Sequence, residues 1–265
     1  MYTLTELVQP NTLEEAYRAL MAKGNNTLLG GCAFLRLTSK KVGTGIDLST
    51  LALDDIKEQD GYIEIGAMAS FRAVETSPVL QQYFTAVLSQ AVGGVIGVQF
   101  RQVVTVGATV FGRYGFSDLI TPLLVLDTEV ELYKQGRMTL AAFLDSPRKK
   151  DILTKVWIKQ DQSRAVYRSL RNSAGDFPIL NVAVARLAER WRIAVGARPL
   201  RAKLATKAAA LLSQGALNTA AIAQAATLAA EELSFGTNAR GSAEYRQALC
   251  RTLVKRAVTE VLECK

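Results

Sequence analysis

The sequence contains no histidine, and this absence excludes several classes of catalytic site. Serine–histidine–aspartate triads, cysteine–histidine dyads and helical HExxH zinc sites each require at least one imidazole. Acid–base catalysis by an imidazole is excluded for the same reason. Any redox or group-transfer chemistry must therefore come mainly from a bound cofactor or from a partner subunit.

Cysteine is scarce, since Cys32, Cys250 and Cys264 are the only three and lie far apart in the sequence. They match neither a disulfide framework nor a zinc site, and they cannot supply four thiolates to an iron–sulfur cluster. The chain also lacks an apolar run of about 18 residues and a basic N-terminal segment followed by an apolar core. We therefore expect a cytoplasmic protein with no signal peptide, no membrane span and no metal site of its own.

The composition is that of a globular protein, with 49% hydrophobic and 21% charged residues in a chain of 265. This length predicts about two domains. The net charge of +8 raises the question of nucleic-acid binding. However, the basic residues are dispersed, and no basic stretch alternates with aromatic residues. The charge therefore favours solvated surfaces and an acidic partner or ligand over nucleic acid.

Local patterns place helices and strands along the whole chain. Thr12-Leu13-Glu14-Glu15 is a capping box that predicts a helix ending at Gly24. Ser77-Pro78 predicts the start of a second helix, whose apolar stripe includes Val79, Leu80, Tyr83, Phe84, Val87, Leu88 and Ala91. The segments "GYIEIGAM", "TEVELY" and "TKVWI" predict strands.

The character of the sequence changes near residue 160, where "KQDQSRA" is polar and marks a boundary. Beyond it, "AVYRSL" and "RWRIAVGA" predict strands, and alanine-rich helices follow from about 201 to 232. Ser242 is expected to cap a last helix. We therefore predict an α+β protein with one domain over 1–160, itself divided near residue 55, and a second over 161–265.

Two segments rich in small residues are candidates for binding a phosphate. Gly30-Gly31 follows a predicted strand, and glycines in such a position leave backbone N–H groups free to face an anion; the alternative is a plain turn. Residues 105–109, "TVGAT", combine two hydroxyl donors with small side chains in a predicted loop. Asp118 follows, and it could accept hydrogen bonds from ribose hydroxyls or simply cap the helix of the apolar run "LITPLLVLD".

A third candidate consists of Arg168, Arg171 and Asp176 in "YRSLRNSAGDF". A fixed guanidinium beside the pyrimidine edge of a flavin would stabilise the negative charge of the reduced ring. The alternative is a structural arginine–aspartate pair near the start of the second domain. The residues alone leave both interpretations open.

Six segments in order resemble the flavin-binding subunit of the molybdenum hydroxylases, the xanthine dehydrogenase and carbon monoxide dehydrogenase group. They are "LLGGCAFL", "IEIGAMASF", "VQFRQVVTVGATVFGRYGFSD", "DILTKVWI", "YRSLRNSAGDF" and "ARGSAEYR". The resemblance covers nearly the whole chain. It implies a two-part α/β flavin-binding domain of the vanillyl-alcohol-oxidase type. A C-terminal domain with a three-stranded antiparallel sheet and a helical bundle would follow.

The resemblance also implies a set of FAD contacts. Two backbone segments would wrap the pyrophosphate, Asp118 would hold the adenosine side, Leu153 would lie against the isoalloxazine and Arg168 would approach its polar edge. The implied contacts are Leu28, Leu29, Gly30, Gly31, Cys32, Ala33, Phe34, Thr105, Gly107, Ala108, Thr109, Asp118, Leu153 and Arg168. The chain departs from the family where Gly-Gly-Asn is usual, since it has Gly107-Ala108-Thr109. Cys32 and Ala33 replace the usual Thr-Asp or Thr-Glu, so the altered loops would weaken FAD binding.

The implied activity is electron transfer. Electrons would come from [2Fe-2S] clusters on a small partner subunit and leave through FAD to NAD⁺ or another acceptor. A large partner subunit with the molybdenum cofactor would oxidise the substrate. The departures in the two loops favour a second hypothesis, a flavin-free structural or assembly subunit of the same kind of complex.

Overall fold

The computed structural model describes residues 1–215 and 217–264, which form an α+β fold with three sheets. The strands are β1 (Thr3–Val8), β2 (Thr27–Leu29), β3 (Lys41–Asp47), β4 (Ile56–Gln59), β5 (Tyr62–Gly66), β6 (Thr128–Leu132), β7 (Gly136–Thr139), β8 (Leu153–Lys159), β9 (Arg164–Leu170), β10 (Leu180–Leu187), β11 (Arg190–Gly196) and β12 (Lys203–Leu204). The helices are α1 (Leu13–Ala22), α2 (Phe71–Thr76), α3 (Pro78–Gln82), α4 (Val87–Gly93), α5 (Val98–Val103), α6 (Val106–Gly112), α7 (Ile120–Val125), α8 (Leu140–Asp145), α9 (Thr206–Gln214), α10 (Thr219–Glu232) and α11 (Ala243–Glu263). None of these helices is long and apolar enough to cross a bilayer.

The first sheet is parallel, with the strand order β1-β3-β2, and α1 packs against it. The predicted capping box is confirmed, because the Thr12 hydroxyl accepts from the Glu15 N–H and the Glu15 carboxylate accepts from the Asn11 N–H. Apolar residues of α1 and β3 form a small core of their own. Strand β1 was not predicted, because its exposed residues do not alternate between polar and apolar.

The second sheet is antiparallel, with the order β4-β5-β8-β6-β7. Strand β8 comes last in the chain but lies in the middle of the sheet, between β5 and β6. Its first residues are therefore next to the end of β5, where the Ala67 N–H donates to the Thr154 carbonyl at 2.9 Å. Helices α2 to α7 come between β5 and β6, so this order brings α6 and Leu153 to the same end of the sheet.

The predicted helix from Ser77 is wrong in its length. Ser77 does cap α3, but Phe84, Thr85 and Ala86 have φ of 55°, 55° and 57°, which divides the predicted helix into α3 and α4. Three consecutive left-handed residues are costly without glycine. The contact that holds them is tertiary: the Thr85 hydroxyl accepts from the N–H of Ala165 on β9 at 3.1 Å. The apolar stripe still faces the core, because most of its side chains are buried despite the break.

The third sheet is antiparallel, with the order β12-β11-β10-β9, so the three strands implied by the resemblance are present and the two-residue β12 extends them. This sheet has a different core on each side. On β10, the even-numbered Leu180, Val182 and Val184 pack against α9, α10 and α11, whereas the odd-numbered Ala183 and Ala185 pack against the core of the second sheet. The predicted alanine-rich helices are α9 and α10, and Ser242 caps α11 as predicted.

Arg246 on α11 is 1% exposed and has no carboxylate partner among the described residues. Its guanidinium instead donates to Ile179 O at 2.9 Å, Gly236 O at 2.8 Å, Gly241 O and Asn238 Oδ1 at 2.6 Å. These acceptors belong to the end of the 171–179 loop and to the turn 236–241. The guanidinium of Arg246 therefore connects α11 to two loops. Its hydrogen bonds offset the cost of burying its charge.

We expect Arg246→Leu to lower the free energy of unfolding by about 3 kcal/mol, because it leaves several buried acceptors without donors. Arg251→Leu is the matched control, since Arg251 is exposed on the same helix and the change in charge is equal. Urea unfolding followed by far-ultraviolet circular dichroism measures both. Equal losses in the two variants would contradict the structural role of Arg246.

Candidate functional site

A cavity of about 600 Å³ lies between the first sheet, helix α6 and the start of β8. Residues from all three regions that were predicted as FAD contacts line it. They are Leu28, Leu29, Gly30, Cys32, Ala33, Phe34, Thr105, Gly107, Ala108, Thr109 and Leu153. Gly31, Asp118 and Arg168 are predicted residues that do not line it. The chain thus brings together segments that lie more than 100 residues apart in the sequence.

The first loop, residues 30–34, has the geometry of an anion-binding turn. Gly31 and Cys32 are both left-handed, with φ of 67° and 55°. A Cβ on Gly31 would lie 1.4 Å from the Val103 carbonyl oxygen, so no other residue can occupy this position without moving the backbone. Among the described residues, none accepts a hydrogen bond from the N–H of Gly31, Cys32 or Ala33. The loop therefore offers free backbone donors beside the cavity.

The second segment differs from its prediction, because residues 105–109 are the first turn of α6 and not a flat loop. The Thr105 hydroxyl caps the helix by accepting from the Ala108 N–H at 3.3 Å. The N–H groups of residues 106–109 are all bonded within the protein, in order to Ala69 O, Ala67 O, Thr105 Oγ1 and Thr105 O. A threonine followed by small residues favours this helix start. The segment therefore contributes the Thr105 hydroxyl and apolar surface, and its N–H groups are engaged.

The two segments touch at their small residues. A Cβ on Gly30 would lie 3.0 Å from Thr105 Oγ1 and 3.1 Å from the Ala108 Cβ. A Cβ on Gly107 would lie 2.7 Å from the Ala67 carbonyl oxygen at the end of β5. The methyl group of Ala108, where the family has glycine, thus packs against Gly30 of the first loop. The close approach of the two backbones depends on glycine at 30 and 107.

An aromatic cluster closes one end of the cavity, and apart from Phe34 the sequence analysis missed it. The Phe34 ring centroid lies 4.9 Å from that of Tyr114 and 5.1 Å from that of Phe116, and Phe116 lies 4.4 Å from Phe177. Tyr114 and Phe116 stack at 16°. The signal for Tyr114 and Phe116 in the sequence is the pair of aromatic residues on either side of Gly115 in "RYGFSD". Such a cluster presents an apolar wall against which a planar ring system can stack.

Asp118 lies in a second, smaller cavity of about 40 Å³ on the other side of this aromatic cluster. Its carboxylate is buried and accepts hydrogen bonds from the Tyr167 hydroxyl and from the Arg171 guanidinium. Burial raises the pKa of Asp118, while Arg171 and the bond from Tyr167 oppose that shift. Asp118 is not the helix cap of the alternative interpretation, because the Ser117 hydroxyl accepts from the N–H groups of Leu119 and Ile120.

The structure does not bring Arg168 to either cavity. Its Nε donates to Glu260 on α11 at 2.7 Å, and its side chain is 50% exposed. The reason is the two-residue period of β9: Tyr167 packs into the core beside the cavities, so Arg168 points to the opposite face, toward α11. Arg171 lies on the cavity side and bonds both Asp118 and the Asp176 carbonyl. The Asp176 carboxylate pairs with Arg240 instead.

Residues 1–215 and 217–264 contain no candidate metal-binding site, because no three cysteine, aspartate or glutamate side chains lie close enough together to hold a metal ion. Cys32 lines the cavity as a single thiol, and burial raises its pKa. The predicted lack of a metal site on this chain stays a prediction. What the cavity offers is backbone donors at one end and aromatic rings at the other.

We expect Asp118→Ala to lower the free energy of unfolding by about 3 kcal/mol, because it leaves the Arg171 guanidinium buried without its partner. The double variant Asp118→Ala with Arg171→Met should recover part of this loss, since it removes the unpaired charge as well. Urea unfolding of both variants checks the expectation. A single variant as stable as the parent chain would show that the pair contributes nothing.

The comparisons with known proteins agree with this geometry. Residues 3–159 match the family model of the FAD-binding domain in molybdopterin dehydrogenase, and residues 165–261 match that of the carbon monoxide dehydrogenase flavoprotein C-terminal domain. The nicotine 6-hydroxylase medium subunit of Paenarthrobacter nicotinovorans is 25% identical over 270 residues, which cover 95% of both chains.

Two solved structures share the fold. A chain of carbon monoxide dehydrogenase from Hydrogenophaga pseudoflava superposes with a TM-score of 0.91 at 22% identity, covering 99% of both chains. A chain of quinoline 2-oxidoreductase from Pseudomonas putida 86 gives 0.86 at 19% identity, with 98% of this chain and 97% of that chain covered. The resemblance and the fold class drawn from the sequence are confirmed. This chain belongs to the family of FAD-binding subunits of the molybdenum hydroxylases.

Proposed function

We propose that the chain binds FAD in the 600 Å³ cavity and transfers electrons within a multi-subunit molybdenum hydroxylase. A small partner subunit would carry [2Fe-2S] clusters, and a large partner subunit would carry the molybdenum cofactor. When bound, FAD would supply the chemistry that links one-electron clusters to NAD⁺ or another acceptor. The observation that carries the proposal is the first loop, in which Cys32 and Ala33 line the cavity and have N–H groups without an acceptor among the described residues.

The cavity suits the two chemically different parts of FAD. The free donors of the first loop and the Thr105 hydroxyl match the phosphate oxygens. Lys40 also lines the cavity, with its Nζ 3.0 Å from the Thr27 hydroxyl, and adds a positive charge near that end. In this proposal Leu28, Leu29 and Leu153 give apolar contact, and Phe34 with the aromatic cluster faces a ring.

The proposed contacts differ in strength from those of the family. Cys32 and Ala33 cannot donate or accept as the usual Thr-Asp or Thr-Glu do, and each lost hydrogen bond costs about 0.5–1.5 kcal/mol. The first loop keeps its backbone donors, which do not depend on the side chains. Arg168 has no part in the proposed site, because it pairs with Glu260; Asp118 acts on the site through the position of Arg171.

The partner subunits and the electron acceptor extend the proposal. The names of the relatives include nicotine 6-hydroxylase and quinoline 2-oxidoreductase, whose substrates are nitrogen heterocycles. We propose that the large partner subunit oxidises a nitrogen heterocycle, as in the xanthine dehydrogenase group. We also propose residues 1–160 as the FAD-binding unit and residues 161–265 as the C-terminal unit.

The geometry of the second segment is also compatible with the second hypothesis, a flavin-free structural or assembly subunit. The N–H groups of residues 106–109 are bonded internally, and Ala108 fills space against Gly30. A subunit that lost its flavin and served assembly alone would show the same features in its second segment. The free donors of the first loop favour the FAD-binding function over this alternative.

We expect the complex purified with its native partners to release FAD on heat denaturation in a ratio of about one per chain of this subunit. Chromatography of the supernatant identifies the flavin, and the visible spectrum of the intact complex gives its amount. A folded complex that holds no flavin after incubation with excess FAD would favour the assembly function.

We expect Gly31→Ala to lower FAD content by at least about tenfold, because its Cβ would overlap the Val103 carbonyl oxygen and displace the loop. Gly136→Ala is the matched control, since Gly136 has φ of 71° but nothing within 4 Å of its Cβ. Both changes carry the cost of a left-handed alanine, so only the clash differs. Equal flavin content in the two variants would contradict the role of the first loop.

A further inference from the structure

Residues 76–112 carry a single charged side chain, that of Arg101, although 21% of the residues in the whole chain are charged. Many residues of this stretch pack into the core of the second sheet, which accounts for its buried apolar side chains. The core does not account for the residues that face solvent. Those of helix α5 and of the turn before it are Gly94, Ile96, Val98, Gln99, Gln102 and Val103. The chain therefore has an uncharged area on its surface at this helix.

The exposed residues of α5 form one continuous face. Val98 and Gln102 are four positions apart, as are Gln99 and Val103, and side chains at this spacing are neighbours on a helix. The Gln99 Oε1 lies 3.5 Å from where a Cβ of Gly97 would be, so the face extends to the turn before the helix. The α5 face is defined here as Ile96, Val98, Gln99, Gln102 and Val103. Its three apolar residues are between 41% and 55% exposed.

Ile96 exposes its side chain at a conformational cost. Its φ is 40°, which is disfavoured for a β-branched residue. The turn is fixed by Arg101, whose guanidinium donates to the Val95 carbonyl at 3.0 Å and to both oxygens of the Glu75 carboxylate, at 2.8 and 3.0 Å. The hydrogen bonds from Arg101 lower the pKa of Glu75 and so keep this carboxylate ionised. The buried Arg101 thus fixes a turn that presents an apolar side chain to solvent.

Charged groups that approach the α5 face belong to ion pairs. Arg72 and the buried Arg101 share the Glu75 carboxylate. Arg171, whose Nη2 lies 3.9 Å from where a Cβ of Gly94 would be, belongs to the buried pair at the second cavity. Paired charges attract a nucleic acid or an anionic membrane only weakly, although the net charge of the chain is +8. Since the centre of a protein–protein interface is depleted of charge, the α5 face fits a protein partner with an uncharged surface.

The α5 face adjoins the binding cavity. Ile96 lines the second cavity together with Phe100, and that cavity shares three rings of the aromatic cluster with the 600 Å³ cavity. At the other end of the helix, the Val103 carbonyl contacts Gly31 of the first loop. A partner on the α5 face would therefore lie next to the aromatic cluster and the first loop. Electrons pass between protein-bound groups only over short distances, and this position is close to a ligand in the cavity.

We propose that the α5 face is the docking surface for the small [2Fe-2S] subunit of the complex. The choice of partner rests on the proposed function, in which this subunit passes electrons directly to the flavin and must lie close to it. Permanent subunit interfaces are more apolar than transient ones, whose formation depends more on charge. The uncharged α5 face therefore fits a resident subunit better than an acceptor that binds and leaves.

The test is photo-crosslinking in the complex purified with its native partners, with p-benzoylphenylalanine in place of Gln99. Mass spectrometry of the adduct identifies the protein that faces this residue. We expect the probe at Gln99 to crosslink to the small subunit, whereas the same probe at Thr252, which is exposed on α11, does not. An adduct with the large subunit or with a second copy of this chain, or no adduct at all, would overturn the proposal.

A pair of charge variants tests the same surface through retention of the small subunit. Gln99→Glu with Gln102→Glu adds two charges to the α5 face, and Gln82→Glu with Gln224→Glu makes the same change in net charge at residues exposed elsewhere. In complexes purified through this chain, we expect the first variant to retain at least about tenfold less small subunit, because an unpaired charge in an interface is costly. Equal retention in the two variants would contradict an interface at α5.

The visible spectrum of the same samples separates this inference from the proposed function. A complex that crosslinks from Gln99 to the small subunit but holds no FAD would keep the docking surface and refute flavin binding. A complex that holds FAD but gives no such adduct would keep the proposed function and refute the docking surface.

Discussion

The contact between Gly31 and the Val103 carbonyl is the constraint on which the binding cavity depends. The first sheet and the helices of the second sheet meet there without any side chain between them. Gly30 against Thr105 and Gly107 against Ala67 repeat the same arrangement on either side. Because a Cβ at any of these three glycines would come within about 3 Å of a neighbouring atom, the close approach of the segments around the cavity depends on glycine at 30, 31 and 107.

Buried charges connect the C-terminal unit to the same region. Arg246 fixes the turn 236–241 through backbone carbonyls, and Arg240 of that turn pairs with Asp176 and lies 5.0 Å above the Phe177 ring. Phe177 packs on Phe116, which lines the cavity. The buried Arg246 is thus connected, through two loops, to aromatic residues that lie far from it in the sequence. The cost of burying it is met by donors and acceptors that also order the loops.

Local sequence signals predicted those features that local chemistry determines. The caps at Thr12, Ser77 and Ser242 and the turn at Gly30-Gly31 depend on residues within one turn of the backbone, and the structure contains them all. The alternating strands of the second and third sheets were predicted for the same reason.

Features that depend on distant partners were not predictable in this way. The break at Phe84–Ala86 is held by Ala165, 80 residues away, and apolar periodicity cannot reveal it. Which of Arg168 and Arg171 lies near the cavities depends on which face of β9 packs against the core of the second sheet. The motif "YRSLRNSAGDF" alone fits either arginine. Whether the N–H groups of Val106 and Gly107 are free depends on Ala67 and Ala69, which follow β5 and lie about 40 residues earlier in the chain.

The departures from the family pattern affect the two segments unequally. Ala108 places its methyl group against Gly30, so the substitution changes the contact between the segments more than the surface facing the cavity. Cys32 changes a side chain but keeps the left-handed backbone, and with it the free N–H groups of the loop. Backbone donors bind phosphate without help from side chains, so the anion-binding geometry of the first loop does not depend on the side chains at 32 and 33. A chain with these substitutions therefore keeps an anion-binding turn for as long as it keeps Gly31.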